Sequence, residues 1–192
     1  MAADGSVLVL VNMATIGLLP RLFFRKDGRF NLAWWLTAAP FFVCAVAHVG
    51  LLVGWLEPIG PDGLRNVTSA VAIPLAALSI GLIGYTVGSH RVPLALWHQG
   101  DAVDAPAEIV TWGPYRWVRH PFYTAFLIAL TGGLLAGPHV ITAATLAYGI
   151  GGMTLTARRE EARLRASDLG DNYVAYARRT GRFVPRVRAA AA

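Results

Sequence analysis

The sequence predicts an all-α, polytopic membrane protein with about five transmembrane helices and a helical C-terminal extension on the cytoplasmic side. Hydrophobic residues make up 55% of the 192 residues. The charged fraction is 15%, well below the roughly 25% that is typical of soluble domains. The mean hydropathy of +0.49 points the same way. These values exclude a disordered chain, a disulfide-bonded scaffold and an ordinary soluble enzyme.

Three apolar runs in the N-terminal half predict the first three spans. Residues 6–19 form the weakest, because Pro20 and Arg21 interrupt the run. Residues 32–56 contain no charged side chain and carry tryptophans near both ends, as expected at membrane–water interfaces. Residues 67–87 are also uncharged, and the proline inside them is tolerated in a membrane helix. The second and third runs exceed the roughly 20 residues that a bilayer span requires.

The C-terminal half contains two shorter apolar runs, residues 122–136 and 140–156. A Gly-Pro-His sequence separates them, which predicts a tight helical hairpin. Proline suits the first turn of a helix, so His120, which precedes Pro121, is expected at the N-cap of the fourth span. Beyond the fifth span, the same helix is predicted to leave the membrane, and a short amphipathic helix follows.

The distribution of basic residues predicts the orientation in the membrane. Sixteen of the 17 Lys and Arg residues follow the first, third and fifth predicted spans, and Arg65 alone falls on the opposite side. Because basic loops stay in the cytoplasm, the N-terminus is expected outside a bacterial-type cytoplasmic membrane and the C-terminus inside. The net charge of +6 then indicates attraction to membrane lipids rather than a nucleic-acid partner. Cys44 is the only cysteine, so no metal site built on cysteines is expected.

Two polar segments on the predicted cytoplasmic face are candidates for chemistry. Residues 89–120 form a long loop rich in aromatic, basic and histidine side chains, and long loops are commonly functional. His120 at a helix N-terminus is suited to an anionic group. An interfacial belt of aromatic residues and arginines is the plainer interpretation of this segment.

The second polar segment carries the adjacent acids Glu160 and Glu161. Glu160 precedes Leu164 by four residues, so both are expected on the protein-facing side of the helix. Glu161 is expected to pair with Arg158 or Arg165. A solvated, salt-bridged helix is the plainer interpretation.

In this order, the motifs resemble the isoprenylcysteine carboxyl methyltransferase family and its phospholipid N-methyltransferase relatives. The resemblance covers roughly residues 99–185, and the three N-terminal spans match only as hydrophobic helices. The matching residues are Gly113-Pro114-Tyr115-Arg116, Arg119-His120-Pro121-Phe122-Tyr123, Glu160-Glu161-Ala162-Arg163-Leu164, Gly170-Asp171-Asn172-Tyr173-Val174-Ala175-Tyr176 and Arg182-Phe183-Val184-Pro185.

The resemblance implies an integral-membrane methyltransferase that uses S-adenosylmethionine, with the C-terminal helices covering the cofactor pocket. The family often has an arginine, thought to hold the acceptor carboxylate, where this chain has Thr156. Arg158 and Arg159 are the nearest replacements, and we expect Arg159 and Glu161 as catalytic residues. The cofactor contacts that the resemblance implies are Gln99, Ile109, Val110, Gly113, Tyr115, His120, Pro121, Phe122, Tyr123 and Glu160.

The expected organisation is one methyltransferase domain over residues 1–192. It comprises three spans in 1–88, a cofactor-binding catalytic half in 89–185 and a tail in 186–192. The acceptor is expected to be a lipophilic small molecule or a lipid, with carboxyl or O-methylation favoured. Three alternatives remain open: phospholipid N-methylation, an NADPH-dependent sterol-type reductase with a related Arg-His-Pro pattern, and a non-catalytic membrane subunit.

Overall fold

The computed structural model describes residues 2–17, 24, 28–89 and 109–186. These ranges form an all-α fold with two isolated β-bridges and no β-strand, which confirms the predicted fold class. A 3₁₀ turn, Gly113–Arg116, precedes the fourth helix. The helices are α1 (Ala2–Gly17), α2 (Leu32–Leu52), α3 (Asp62–Ser89), α4 (Pro121–Ala136), α5 (Val140–Arg165) and α6 (Gly170–Arg179).

Helices form at all five predicted spans, and three of them are long and apolar enough to cross a membrane. These three are α2, α3 and α5. The helices α1 and α4 are apolar but have 16 residues each. A helix of that size is about 24 Å long, against a bilayer core of roughly 30 Å. The predicted total of five spans and the orientation of the two ends therefore stay predictions.

One boundary of α2 and one of α3 lie four or five residues from the predicted spans. The helix α2 ends at Leu52, four residues before the end of its apolar run. Gly54 there adopts a φ of +77°, a left-handed conformation that turns the chain out of the helix. The helix α3 begins at Asp62, five residues earlier than its apolar run, so the polar residues before the run are also helical. Hydropathy marks the apolar stretch of a helix, and the backbone extends beyond it.

The predicted hairpin between α4 and α5 is confirmed, and His139 closes it. Nδ1 of His139 accepts a hydrogen bond from the backbone N–H of Ile141 at 3.1 Å. The backbone N–H of His139 donates to the hydroxyl of Thr142 at 3.1 Å. The two bonds form a capping box, which satisfies N–H groups that the first turn of α5 leaves unpaired.

The helices α2 and α4 approach closely because glycines lie at their contact, one within α4 and one at its C-cap. A Cβ atom at Gly133 would lie 2.7 Å from Sγ of Cys44, and one at Gly137 would lie 2.9 Å from Cε1 of His48. Nε2 of His48 lies 2.9 Å from the carbonyl oxygen of Gly133 and donates to it across the contact. Small residues and interhelical hydrogen bonds of this kind hold membrane helices together.

The polar ends of α3, α4 and α5 meet at one end of the bundle and position the candidate site. Gly113 begins the 3₁₀ turn with a φ of +60°, and a Cβ atom there would overlap the side chain of Ser89 at the end of α3. The 3₁₀ turn therefore lies directly against α3. Pro121 then occupies the first turn of α4 and His120 its N-cap, as predicted.

We expect Gly133→Ala to lower the thermal unfolding midpoint of the detergent-purified protein, because the added methyl group collides with Cys44. Overpacking of a buried contact costs about 1–3 kcal/mol. Gly84→Ala is the matched control, since nothing described lies within 4 Å of a Cβ atom at that position of α3. Both variants gain the helix propensity of alanine. Equal midpoints would contradict a tight contact between α2 and α4.

Candidate functional site

A buried carboxylate, that of Glu161 near the end of α5, joins distant parts of the chain. Its side chain is 1% exposed. Arg182 donates to both oxygens, from Nε to Oε1 at 2.9 Å and from Nη2 to Oε2 at 2.7 Å. Nε of Arg119 donates to Oε1 at 3.1 Å. Nε2 of His120 lies 3.3 Å from Oε1, and Nη2 of Arg165 lies 3.5 Å from Oε2. We call Arg119, Glu161 and Arg182 the clasp.

The clasp keeps Glu161 ionised. Glu161 lies beyond the apolar part of α5, five residues after Thr156. Burial alone favours the neutral acid. Hydrogen bonds from Arg182 and His120 and the charge of Arg119 outweigh burial and hold the pKa of Glu161 well below its ordinary value. A buried charge is tolerated only when it is paired and hydrogen-bonded in this way.

Residues 180–184, which follow α6, lie along the start of α4, and we call them the strap. The backbone N–H groups of Arg119 and His120 donate to the carbonyls of Gly181 and Arg182, at 2.8 and 3.1 Å. The N–H of Gly181 donates back to the carbonyl of Trp117 at 3.1 Å. These bonds, together with the clasp, attach the strap to the N-terminus of α4.

Glu160 precedes Glu161 and faces an aromatic pair. The hydroxyl of Tyr123 donates to Oε1 of Glu160 at 2.7 Å, and Nδ1 of His120 lies 3.4 Å from Oε2. The rings of His120 and Tyr123 stack, with centroids 5.4 Å apart and planes 10° apart. Phe183 of the strap packs edge-on, 6.0 Å from the His120 ring. The side chain of Glu160 is 30% exposed, so this carboxylate is accessible to a ligand.

The imidazole of His120 lies between the two carboxylates. Burial disfavours its charged form. Hydrogen bonds to Glu160 and Glu161 outweigh burial and raise the pKa of His120 above its ordinary value. An imidazolium donates from both nitrogens, so His120 bridges the accessible carboxylate and the buried one.

The helix α6 covers the other side of this cluster. The hydroxyl of Tyr176 donates to the carbonyl of Tyr115 at 2.7 Å. Nη1 of Arg119 donates to the carbonyls of Ala177 and Thr180 at the end of α6. Burial raises the pKa of Tyr176 to about 12, so its phenol is neutral and donates. Arg119 is thus bound both by Glu161 and by the end of α6.

Three of the predicted cofactor contacts, His120, Tyr123 and Glu160, contact one another. Gln99 lies outside the described residues. The role of the predicted residues as cofactor contacts stays a prediction. The remaining ones lie on the segment that leads into α4 and on its first turn: Ile109, Val110, Gly113, Tyr115, Pro121 and Phe122.

The adjacent glutamates differ from their predicted burial. Glu161 is the more deeply buried, because it continues a buried face of α5 with Met153 and Ala157 at four-residue spacing. Its predicted partner Arg165 is confirmed at 3.5 Å. Glu160 faces the protein as expected, through Tyr123 and His120, but is half-buried. Leu164 is half-buried like Glu160, so the two share a protein-facing side as expected, and Glu161 lies on the more deeply buried one.

The two predicted catalytic residues occupy different environments. Both oxygens of Glu161 are engaged by arginines. Arg159 is exposed on α5, as is Arg158. A catalytic role for either residue stays a prediction, and the contacts of Glu161 favour a role in positioning.

Sequence reasoning did not select Arg119, Arg182 or Phe183 as site residues. Arg119 and Arg182 lie 42 and 21 residues from Glu161 along the chain, so no local spacing rule connects them. All three residues lie within the motifs that carry the family resemblance, and this could have marked them as candidates.

The described ranges define a helical protein with membrane-spanning potential and a charged cluster at one end of the bundle. The family model for the isoprenylcysteine carboxyl methyltransferase (ICMT) family matches residues 96–166. This match confirms the family resemblance that the motifs indicate. It includes the start of α4 and both glutamates, and it ends before α6 and the strap.

A curated relative adds a second similarity. The chain is 32% identical over 116 residues to the nickel-cobalt-cadmium resistance protein NccN of Alcaligenes xylosoxydans xylosoxydans. The aligned part is 60% of this chain and 53% of that relative, so the chain spans about half the relative's length. No solved structure matches the chain.

We expect the stability of the cluster to depend on pH in both directions. The raised pKa of His120 contributes stability that is complete below its ordinary value of 6.5 and is lost as the pH rises through the raised value. The lowered pKa of Glu161 contributes stability that is complete above its ordinary value of 4.5 and is lost as the pH falls. Unfolding midpoints in detergent should therefore be highest between about pH 4.5 and 6.5. His120→Gln should remove the alkaline decline, and a variant that retains it would refute this assignment.

Proposed function

We propose that the protein is an S-adenosylmethionine-dependent membrane methyltransferase that acts on a lipophilic acceptor, with carboxyl or O-methylation favoured. The observation that carries the proposal is the accessible carboxylate of Glu160. Tyr123 and His120 orient it beside the buried clasp. It also lies within the segment that matches a methyltransferase family.

The side chains around Glu160 fit the chemistry of this cofactor. A carboxylate forms charge-assisted hydrogen bonds to an ammonium group or to ribose hydroxyls, so Glu160 would hold one of these. The stacked rings of His120 and Tyr123 offer an aromatic surface beside it. Aromatic faces attract cations such as a sulfonium. When bound, the cofactor supplies an activated methyl group for transfer.

The chain's own contribution is orientation rather than proton transfer. Tyr123 and His120 each bind one oxygen of Glu160, so its carboxylate is held before a ligand arrives. Fixed geometry between reactants accounts for a large part of the rate of such a transfer. A carboxylate acceptor has no proton to lose, so the reaction with it needs no general base.

A lipophilic acceptor is supported by the surface next to the start of α4. Trp112 and Trp117 are 49% and 45% exposed. The guanidinium of Arg116 lies 4.5 Å from the centre of the Trp117 ring. Exposed tryptophans and arginines are typical of the membrane–water interface. We propose that the acceptor reaches the site from this interface, on the cytoplasmic side that the distribution of arginines indicates.

We expect Glu160→Gln to weaken binding of S-adenosylhomocysteine, measured by calorimetric titration of the purified protein. Loss of a charge-assisted hydrogen bond costs about 1.5–3 kcal/mol, roughly ten- to a hundredfold in Kd. Asp168→Asn, at an exposed carboxylate after α5, is the matched control and should bind like the parent.

The same titration separates the alternatives. NADPH is titrated in parallel. Binding of NADPH but not of S-adenosylhomocysteine would replace the proposal with a reductase, and binding of neither would favour a non-catalytic subunit.

We expect Arg159→Lys to reduce transfer of a radiolabelled methyl group from S-adenosylmethionine to membrane lipid extract by about tenfold, the size of one lost charge-assisted hydrogen bond. Lysine keeps the charge but lacks the bidentate fork that matches a carboxylate. Arg163→Lys is the matched control on the exposed surface of the same helix. Base-labile label would identify a methyl ester, whereas base-stable label would fit a methyl ether or an N-methyl product. Unchanged transfer in Arg159→Lys and Arg159→Ala would remove this arginine from acceptor binding.

A further inference from the structure

Neighbouring carboxylates at the end of α5 have different surroundings. Glu161 is enclosed, with an exposed side-chain fraction of 1%, and arginines bind both of its oxygens. Glu160 is 30% exposed, and it accepts a hydrogen bond from the phenol of Tyr123 and pairs with the imidazole of His120. The carboxylate of Glu161 therefore binds other parts of the fold, while that of Glu160 remains accessible.

The enclosed carboxylate is connected to the accessible one through the strap. Arg182 is the strap residue that binds Glu161, and Phe183 follows it directly. The Phe183 ring packs edge-on against both rings of the stacked pair, 6.0 Å from His120 and 6.5 Å from Tyr123. The Phe183 carbonyl also accepts a hydrogen bond from the hydroxyl of Thr124 in α4 at 2.9 Å.

We propose that Glu161 is a positioning residue that seats the strap on the start of α4. Arg119 and Arg182 act with it. Through the seated strap, Phe183 holds the His120–Tyr123 pair in the orientation in which both bind Glu160. The identity of the ligand that Glu160 binds rests on the function proposed above. The seating of the strap is independent of that function.

Hydrogen exchange of the full-length protein, without ligand, measures the seating directly. The amide N–H groups of Arg119 and His120 donate to carbonyls of the strap, and the N–H of Gly181 donates to the carbonyl of Trp117. In Glu161→Gln we expect these amides to exchange about tenfold faster, since a charge-assisted bond that holds the strap is lost. Asp168→Asn and Glu160→Gln should leave the same amides unchanged. Parent-like exchange in Glu161→Gln would overturn the proposal.

The titration of His120 reports whether the contact between its imidazole and Glu160 depends on the seated strap. The groups that face His120 are Glu160 and Glu161 from α5, Tyr123 from α4, and Phe183 from the strap, with Arg119 and Arg182 bound to Glu161 beside it. Removal of the negative charge in Glu161→Gln should lower the pKa of His120. Arg182→Gln removes a positive charge, which alone would raise the pKa of His120. It also releases the strap, so loss of the contact with Glu160 should lower the pKa instead. Nuclear magnetic resonance of histidine-labelled protein measures both shifts, with His120→Gln to assign the signal.

If Arg182→Gln instead raises the pKa of His120, the contact between His120 and Glu160 persists without the strap, and the positioning role is refuted. The effect on the ligand is measured with S-adenosylhomocysteine. Glu161→Gln and Phe183→Leu should each raise Kd by about tenfold. Val184→Ala, at an exposed neighbour in the strap, should not.

Parent-like Kd values in Glu161→Gln and Phe183→Leu would refute positioning even if the amides exchange faster. A parent protein that does not bind S-adenosylhomocysteine would remove the proposed function. The exchange rates and the His120 titration would still decide whether the clasp seats the strap.

Discussion

The ionised carboxylate of Glu161 is the constraint on which one whole end of the molecule depends. A charge removed from water in this way requires several partners, and no neighbour in α5 except Arg165 supplies one. The partners therefore come from the segment before α4 and from the segment after α6. Their convergence fixes where the C-terminal segment runs, because Arg182 reaches Glu161 only if the strap lies along α4.

The same constraint distinguishes two identical side chains. Successive residues of an α-helix lie about 100° apart around its axis, so Glu160 and Glu161 face different neighbours. Glu161 continues the buried face formed by Met153 and Ala157. Glu160 is turned toward the stacked rings of His120 and Tyr123. One carboxylate thus stabilises the arrangement, and its neighbour is left with an accessible face for a ligand.

The helix contacts at the other end of α4 follow a different physical principle. There the backbones of α2 and α4 approach because Gly133 and Gly137 have no side chains, and His48 donates to a carbonyl across the contact. Close packing and one interhelical hydrogen bond suit an apolar environment, in which burial of hydrophobic surface does not drive association. The charged cluster around Glu161 lies at the end of the bundle where the predicted cytoplasmic segments meet, whereas Arg65 pairs with Asp62 at the start of α3.

The sequence by itself determined the helical class, the hairpin, the N-cap position of His120 and the resemblance to a methyltransferase family. Each follows from information within a short stretch, such as the length of an apolar run, the Gly-Pro-His break, the proline after His120 or the order of motifs. The tertiary structure decided which glutamate is buried, that Arg159 is exposed, and that Arg119 and Arg182 close on one carboxylate. These depend on the rotation of α5 and on contacts between residues 21 to 42 positions apart, and no local pattern encodes them.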